Sequence, residues 1–150
     1  RCDAMRLSHI SLTARDAAAL GGFYAEVFGY RERRPAKRLS GASVSRGNGL
    51  KDADIYSIWL ALPDDPGPFL EILEYTQTLN RDKPEVNAPG FGHLAFVVND
   101  LNRVLRDVLR CGGAMQGEIT NFCSAEAPVL IVYVRDPEGN LLELESNHRP

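Results

Sequence analysis

The sequence has no long hydrophobic run, and its N-terminal segment lacks the basic-then-apolar order of a signal peptide. A membrane-spanning helix needs roughly 20 consecutive apolar residues, so we expect no membrane partner and a cytoplasmic location. Residues Arg1 to Ala4 precede Met5, an arrangement compatible with the remnant of an expression tag.

An excess of positive charge and closely spaced cysteine pairs are also missing. The 17 Lys and Arg residues against 20 Asp and Glu residues give a formal net charge of -3, so no nucleic acid partner is expected. Cys2, Cys111 and Cys123 are odd in number and form no CxxC motif, which predicts unpaired thiols in a reducing compartment. The 150 residues, 44% hydrophobic and 25% charged, are enough for one ordinary globular domain.

An internal repeat organises the chain. At an offset of 84 residues His9 falls on His93, and at an offset of 72 residues Glu71 falls on Glu143. Such ordered matches indicate a duplicated unit. The other matches are Asp16 with Asp100, Leu20 with Val104, Tyr24 with Val108, Gly29 with Gly113, Asp64 with Asp136, Gly67 with Gly139, and Leu70 with Leu142.

Each copy predicts a strand, a helix and three further strands. The helices follow the N-cap residues Asp16 and Asp100 and end at Gly29 and Gly112–Gly113, because glycine accepts the left-handed conformation at a helix end. The predicted strands are 7–13, 30–34, 55–62 and 69–75 in the first copy, and 93–99, 115–119, 129–134 and 141–145 in the second. Residues Pro35 to Asp54 read as an irregular loop without periodicity.

These elements predict an α+β fold of two βαβββ repeat modules, which form a curved mixed sheet with the helices on its convex side. The first module spans residues 7–75, the linker 76–90 and the second module 91–147, within a single domain of residues 5–150.

Strand alternation places four polar side chains on the face away from the helices. Leu and Ile neighbours occupy the helix-covered face, leaving His9, Glu71, His93 and Glu143 on the other. A lone strand histidine or glutamate is more often structural or solvated, but recurrence at matched repeat positions favours a metal site. Two imidazoles and two carboxylates would be satisfied together by one divalent ion. Such nitrogen and oxygen donors suit Zn, Ni, Co, Mn or ferrous Fe.

The other charged residues receive simpler interpretations. Asp16 and Asp100 are helix caps, Glu74 and Glu145 are surface or strand-end charges, and His148 is solvated. A basic run is interpreted as a solvated edge strand, with the alternative that it holds a carboxylate or phosphate of a substrate. The run consists of Arg31, Arg33, Arg34, Lys37 and Arg38.

The segments LSHISLTARD, FYAEVFGY, LEILEY, PGFGHLAFVVNDL and VYVRDPEGNLLELES resemble the vicinal oxygen chelate superfamily. That superfamily includes glyoxalase I, methylmalonyl-CoA epimerase, extradiol dioxygenases, and fosfomycin or bleomycin resistance proteins. The resemblance covers nearly the whole chain. It implies that His9, Glu71, His93 and Glu143 correspond to the four metal ligands of bacterial-type glyoxalase I, and that the chain forms a homodimer.

Within the superfamily the chain resembles the glyoxalase-related lyases, because extradiol dioxygenases match only His9, His93 and Glu143. We therefore expect a metal-dependent lyase or isomerase that moves a proton on a small α-hydroxycarbonyl or hemithioacetal-like substrate. Glu143 is the predicted base and Glu71 the partner that returns or shares the proton. The alternatives are an extradiol-type dioxygenase and a non-catalytic protein that binds a drug or metabolite.

Overall fold

The computed structural model describes residues 3–146 and divides between Asn80 and Arg81 into two compact units. That division falls inside the predicted linker 76–90, which contains neither helix nor strand. Each unit carries one βαβββ module, so the α+β fold class is confirmed. No helix within residues 3–146 combines the length and the apolar character that crossing a membrane requires.

The first unit holds a four-stranded sheet and two helices. Its strand order is β1-β4-β3-β2, in which β1 and β4 are parallel while the other neighbours are antiparallel. The first and last strands of the module therefore lie side by side. The elements are β1 (His9–Thr13), α1 (Ala17–Phe28), β2 (Arg31–Ser40), α2 (Ala42–Asn48), β3 (Asp54–Ala61) and β4 (Phe69–Tyr75).

Helix α1 begins and ends where the sequence predicts. The Asp16 carboxylate accepts a hydrogen bond from the Ala19 N–H at 3.0 Å, and Gly29 takes the left-handed conformation with φ 80°. The helix packs on β3 and β4 through a fully buried face that includes Leu20 and Tyr24. Gly21 lies against Ile58 and Leu60, so α1 covers the face of the sheet that carries these two side chains.

The predicted irregular loop from Pro35 to Asp54 is wrong. Strand β2 continues through Pro35 to Ser40, and the short helix α2 follows before β3 begins. Proline is tolerated because β2 is the edge strand, where a missing N–H costs no sheet hydrogen bond on the open side. Glycine residues at both ends, Gly41 and Gly49, bound α2 with positive φ angles of 100° and 79°.

The second unit repeats the arrangement, but two short strands of two residues each replace the long edge strand β2. Its strand order is β5-β9-β8-β6, with β7 also paired to β8, and β5 and β9 are parallel. The elements are β5 (His93–Val97), α3 (Leu101–Arg110), β6 (Ala114–Met115), β7 (Thr120–Asn121), β8 (Leu130–Arg135) and β9 (Leu141–Ser146). Among residues 3–146 this sheet and that of the first unit contain all nine strands.

Helix α3 also follows its predicted boundaries. Asp100 accepts a hydrogen bond from the Arg103 N–H at 3.0 Å, while Gly112, just after the helix, has a φ of 92°. The helix packs on β6 and β9, where Val108 is fully buried. The turn before β9 is fixed by the buried Asp136, whose carboxylate accepts from two backbone N–H groups and the Asn140 side chain.

The predicted strand from Met115 to Ile119 is wrong in its extent. Pairing stops at Met115 and resumes only at Thr120. The backbone N–H groups of Gln116 and Gly117 both donate to the Tyr133 carbonyl, at 3.0 and 3.1 Å. Two residues therefore share one position on the partner strand, and this irregularity divides the edge into two short strands.

Gly113 is the position where the second unit has no room for a side chain. A Cβ atom there would lie 2.5 Å from the Arg135 carbonyl oxygen, 2.6 Å from Val108 Cγ1 and 2.9 Å from the Val108 carbonyl oxygen. We expect Gly113→Ala to lower the free energy of unfolding by about 2 kcal/mol or more, because backbone atoms must move to make space. Chemical denaturation of the purified variant measures this loss.

Gly117→Ala is the matched control for that change. A Cβ atom at Gly117 would meet no heavy atom within 4 Å, and its backbone has no positive φ. Its denaturation midpoint should stay close to that of the unchanged protein. Equal midpoints for the two variants would show that the close approach at Gly113 is easily relieved.

Candidate metal centre

In the first unit, parallel pairing of β1 with β4 brings His9 and Glu71 together. His9 lies opposite Phe69 and Ser11 opposite Glu71, so the imidazole and the carboxylate are diagonal neighbours on one face of the sheet. The distance from His9 Nε2 to Glu71 Oε1 is 3.7 Å. The His9 side chain is 40% exposed and that of Glu71 14%, so the carboxylate is sheltered while the imidazole remains accessible.

In the second unit, β5 and β9 repeat this geometry. His93 lies opposite Leu141 and Ala95 opposite Glu143, the same relation as in the first unit. His93 Nε2 is 3.2 Å from Glu143 Oε2, and the two side chains are 34% and 15% exposed. The duplication thus preserves both the donor types and the register that places them.

The predicted orientation of the four residues agrees with burial on the strands. Leu70 and Ile72 flank Glu71 and are 2% and 0% exposed, while Leu142 and Leu144 flank Glu143 and are both fully buried. Because successive strand residues face opposite sides, both carboxylates project away from the helix-covered face.

The structure forms two histidine–glutamate pairs, one in each unit. Each pair supplies one nitrogen and one or two oxygen donors that fit a divalent cation. Within residues 3–146 no three or more His, Cys, Asp or Glu side chains form a metal-binding group. A single pair offers fewer protein ligands than a zinc-type site commonly uses, so neither pair is a complete site alone.

Two aromatic residues that the sequence analysis did not assign to the site surround the first pair. Trp59 lies opposite Glu71 across β3 and β4, and its indole N–H donates a 2.8 Å hydrogen bond to Glu71 Oε2. The Phe69 ring stacks on His9 at 4.9 Å and lies 4.6 Å from the Trp59 ring. Strand β3 carries large apolar side chains on both faces, so alternation alone did not mark Trp59 as a site residue.

The second pair has a different aromatic neighbour. Tyr133 lies opposite Glu143, the position that Trp59 holds opposite Glu71. Its ring meets His93 edge-on, with centroids 5.0 Å apart and an interplanar angle of 90°. Of the side chains in residues 3–146, His93 alone is within hydrogen-bonding distance of the Glu143 carboxylate. The two glutamates therefore have unequal surroundings.

Glu74, interpreted as a surface or strand-end charge, is the penultimate residue of β4 and also has a specific hydrogen-bond partner. Its carboxylate accepts a 2.8 Å hydrogen bond from the Ala17 N–H, at the beginning of α1. Glu74 lies three positions after Glu71 on β4, so its side chain points to the opposite face of the sheet, toward α1. There it stabilises the free N–H groups at the beginning of that helix. Asp16 and Asp100 act as caps, as predicted. His148 lies outside the described residues.

The basic run on β2 is not uniformly solvated. Arg38 is exposed and forms two hydrogen bonds to Asp54, at 2.8 and 3.2 Å. These hydrogen bonds and the Asp54 charge raise the pKa of Arg38 above its ordinary value. Arg34 is half-buried, and its Cζ lies 3.9 Å from the centroid of Trp59. Part of the run therefore belongs to the face that carries the first pair.

Solved structures share this architecture. A glyoxalase family protein from Bacillus cereus has a TM-score of 0.85 at 20% identity, over 96% of this chain and 95% of that one. A glyoxalase/bleomycin resistance protein/dioxygenase domain from Frankia sp. EAN1pec has 0.67 at 21% identity, over 97% and 94%. A glyoxalase I variant from Zea mays has 0.66 at 18% identity, over 97% of this chain but 46% of the maize chain.

At identities of 18–21% the structural similarity shows that the fold is shared and nothing more. Among curated proteins, none matches the chain. The sequence profile described as Glyoxalase/Bleomycin resistance protein/Dioxygenase superfamily matches residues 6–144, which include both modules and all four predicted ligands. The chain is therefore a member of the glyoxalase/bleomycin resistance protein/dioxygenase superfamily.

Proposed function

We propose that the protein is a divalent-metal-dependent lyase or isomerase of the glyoxalase type. It acts by proton transfer on a small α-hydroxycarbonyl or hemithioacetal-like substrate. The observation that supports this function is the repeated histidine–glutamate pair, placed by the same register on the face away from the helix in both modules. Similarity in fold to a protein described as glyoxalase I is consistent with it.

One ion is held by His9, Glu71, His93 and Glu143. Each pair needs the other to complete a coordination set, from the same chain or from a second chain of a homodimer. The mixed donors suit Zn, Ni, Co, Mn or ferrous Fe. With four protein ligands, two of them carboxylates, the site resembles proton-transfer members of the superfamily more than oxygen-activating ones.

The bound ion supplies Lewis-acid stabilisation of negative charge that develops on the substrate oxygens. Glu143 accepts the proton from the hydroxyl-bearing carbon next to the carbonyl group, and Glu71 returns or shares it. The structure supports this division of roles, because the Trp59 N–H occupies one oxygen of Glu71 while no comparable N–H contacts Glu143 among the described residues.

The proposed site predicts one divalent ion per chain. His93→Ala removes an imidazole ligand, so elemental analysis should find much less than one equivalent of bound metal after dialysis. Glu145→Gln is the matched control, because Glu145 lies two residues from Glu143 on the same strand and face. A folded His93→Ala protein with a full equivalent of metal would show that His93 is not a ligand.

The proposed base predicts a loss of turnover without a loss of fold. Glu143→Gln should reduce exchange of the substrate's carbon-bound hydrogen with deuterated water by roughly two to four orders of magnitude, as expected when a general base is removed. Glu145→Gln should exchange at the unchanged rate. Metal occupancy must be measured in each sample, because Glu143 is also a proposed ligand.

The rival functions give different results in the same assays. Ferrous-dependent oxygen uptake with a catechol would favour an extradiol-type dioxygenase. Tight drug binding without hydrogen exchange across a broad panel of carbonyl compounds would favour a non-catalytic binder. Either result would contradict the proposed proton transfer.

We also expect a homodimer. Large apolar side chains are exposed on the chain, among them Phe91, fully exposed, and Val97 on β5, 71% exposed. Apolar surface of this kind favours association with a second copy. Sedimentation at micromolar concentration should show a mass of two chains. A strict monomer would exclude the dimer without affecting the assignment of the ligands.

A further inference from the structure

Strand β2 contains an irregularity directly opposite Trp59. Glu32 pairs with Leu60, but the next pair joins Arg34 to Trp59, so Arg33 is an extra residue on the edge strand. In a regular strand two consecutive side chains point to opposite faces. Because a bulge sets two residues against one on the partner strand, it can direct both side chains to one face.

Both guanidinium groups lie over the aromatic residues of the first pair. Arg33 Cζ is 4.2 Å from the centroid of Phe69 and 5.9 Å from that of Trp59. Arg34 Cζ is 3.9 Å from the centroid of Trp59. Phe69 stacks on His9 and Trp59 donates to Glu71, so both arginines contact the rings that contact the proposed ligands.

Arg34 is held in place by other residues of the chain. Its side chain donates to Ser57 Oγ and to the Pro35 carbonyl oxygen, each at 3.0 Å. Its Nε atom is buried and has no hydrogen-bond acceptor within residues 3–146. Arg34 therefore acts as a positioning residue, which fixes the Trp59 ring.

Arg33 is exposed and free to bind a ligand. Within residues 3–146 the structure gives its side chain no hydrogen bond and no ion pair, only the two ring contacts. A guanidinium presents several N–H donors in a planar fork, which matches the oxygens of a carboxylate or a phosphate. Stacking on Phe69 holds the fork over the ring that also packs on His9, with little further loss of side-chain entropy.

An open pocket of about 390 Å³ adjoins Arg33 and Phe69, a volume within the range of small-molecule sites. Ser8 also lines it, and the Ser8 hydroxyl lies 3.2 Å from His9 Nδ1, so the pocket ends at the residue before His9. Five of the twelve lining residues are charged, and they give an excess of one positive charge. They are the guanidinium groups of Arg6, Arg31 and Arg33 and the carboxylates of Glu32 and Asp65.

We propose that Arg33 binds a carboxylate or phosphate group of the substrate and so restricts the substrate to small anionic α-hydroxycarbonyl compounds. The anionic group lies in the pocket on the Arg33 fork, and the carbon chain extends past Phe69 toward His9 and Glu71. This assignment rests on the proposed function for its reaction. The anion-binding step itself needs only residues of the first unit.

The test uses the fluorescence of Trp59, the single tryptophan of the chain. Glycerol phosphate, glycolate and uncharged glycerol are titrated into the unchanged protein and into three variants, Arg33→Gln, Arg33→Lys and Arg38→Gln. Arg33→Gln should weaken binding of the anions about tenfold or more, the loss expected for a charge-assisted hydrogen bond. Arg33→Lys should retain part of the affinity, because it keeps the charge but not the fork.

Arg38→Gln is the matched control. It removes the same charge from the same strand, but Arg38 is paired with Asp54 and lies opposite Tyr56, a residue of the face that α1 covers. The Arg38→Gln variant should bind both anions with the affinity of the unchanged protein. Uncharged glycerol should bind to none of the proteins. Saturation by glycerol phosphate alone supports the proposal with phosphate as the group bound, and saturation by glycolate alone supports it with carboxylate. Three results would overturn the proposal. They are an anion affinity of Arg33→Gln equal to that of the unchanged protein, a loss of affinity in Arg38→Gln as large as in Arg33→Gln, and the absence of saturation with either anion.

Repeating the titration with a chelator separates this proposal from the metal site. Anion binding that depends on Arg33 and persists in metal-free protein supports the role of Arg33 even if elemental analysis finds no bound metal. Hydrogen exchange can also be compared on neutral and anionic substrates. If the unchanged protein and Arg33→Gln exchange both kinds of substrate equally fast, the role of Arg33 is overturned, while the metal-dependent lyase function is unaffected.

Discussion

The candidate site depends on the parallel pairing between the first and last strands of each module. In both units a histidine on the first strand lies two positions before a glutamate along the register of the last strand. A slip by one residue would turn either side chain to the helix-covered face, where Leu70, Ile72, Leu142 and Leu144 are buried. The apolar cores thus fix the register of the paired strands. That register determines the positions of the histidine and glutamate side chains.

Much of this arrangement could be predicted because the sequence contains two copies of the same module. A single strand histidine carries little information, but His9 and His93 occupy matched positions, as do Glu71 and Glu143. The N-cap residues Asp16 and Asp100 located α1 and α3, since capping depends on neighbouring backbone groups alone. Local chemistry and repetition were sufficient for these features.

The features that could not be predicted depend on contacts distant in sequence. Pro35 argues against a strand unless that strand is known to lie at an edge, which only the sheet order reveals. Trp59 belongs to a strand with large apolar side chains on both faces, so nothing in its sequence neighbours connects it with Glu71. Glu74 reaches the Ala17 N–H across 57 positions, a contact that alternation along β4 does not show.

The two modules preserve their donors but differ in what surrounds them. Trp59 and Tyr133 take the same place opposite the two glutamates, yet the indole donates to a carboxylate while the phenol ring meets a histidine edge-on. Identical groups in unequal surroundings can take different roles, as paired carboxylates in acid–base catalysis do. Duplication supplied a symmetric set of donors, and the aromatic neighbours made it asymmetric.

The bulge at Arg33 also affects how related sequences should be aligned. One extra residue between Glu32 and Arg34 directs two adjacent side chains to a single face. A relative lacking that residue would align with a gap of one position, and it would present only one side chain opposite the residue equivalent to Trp59. The length of this edge strand, together with an arginine at the extra position, would then divide relatives into those that accept charged ligands and those that accept neutral ones.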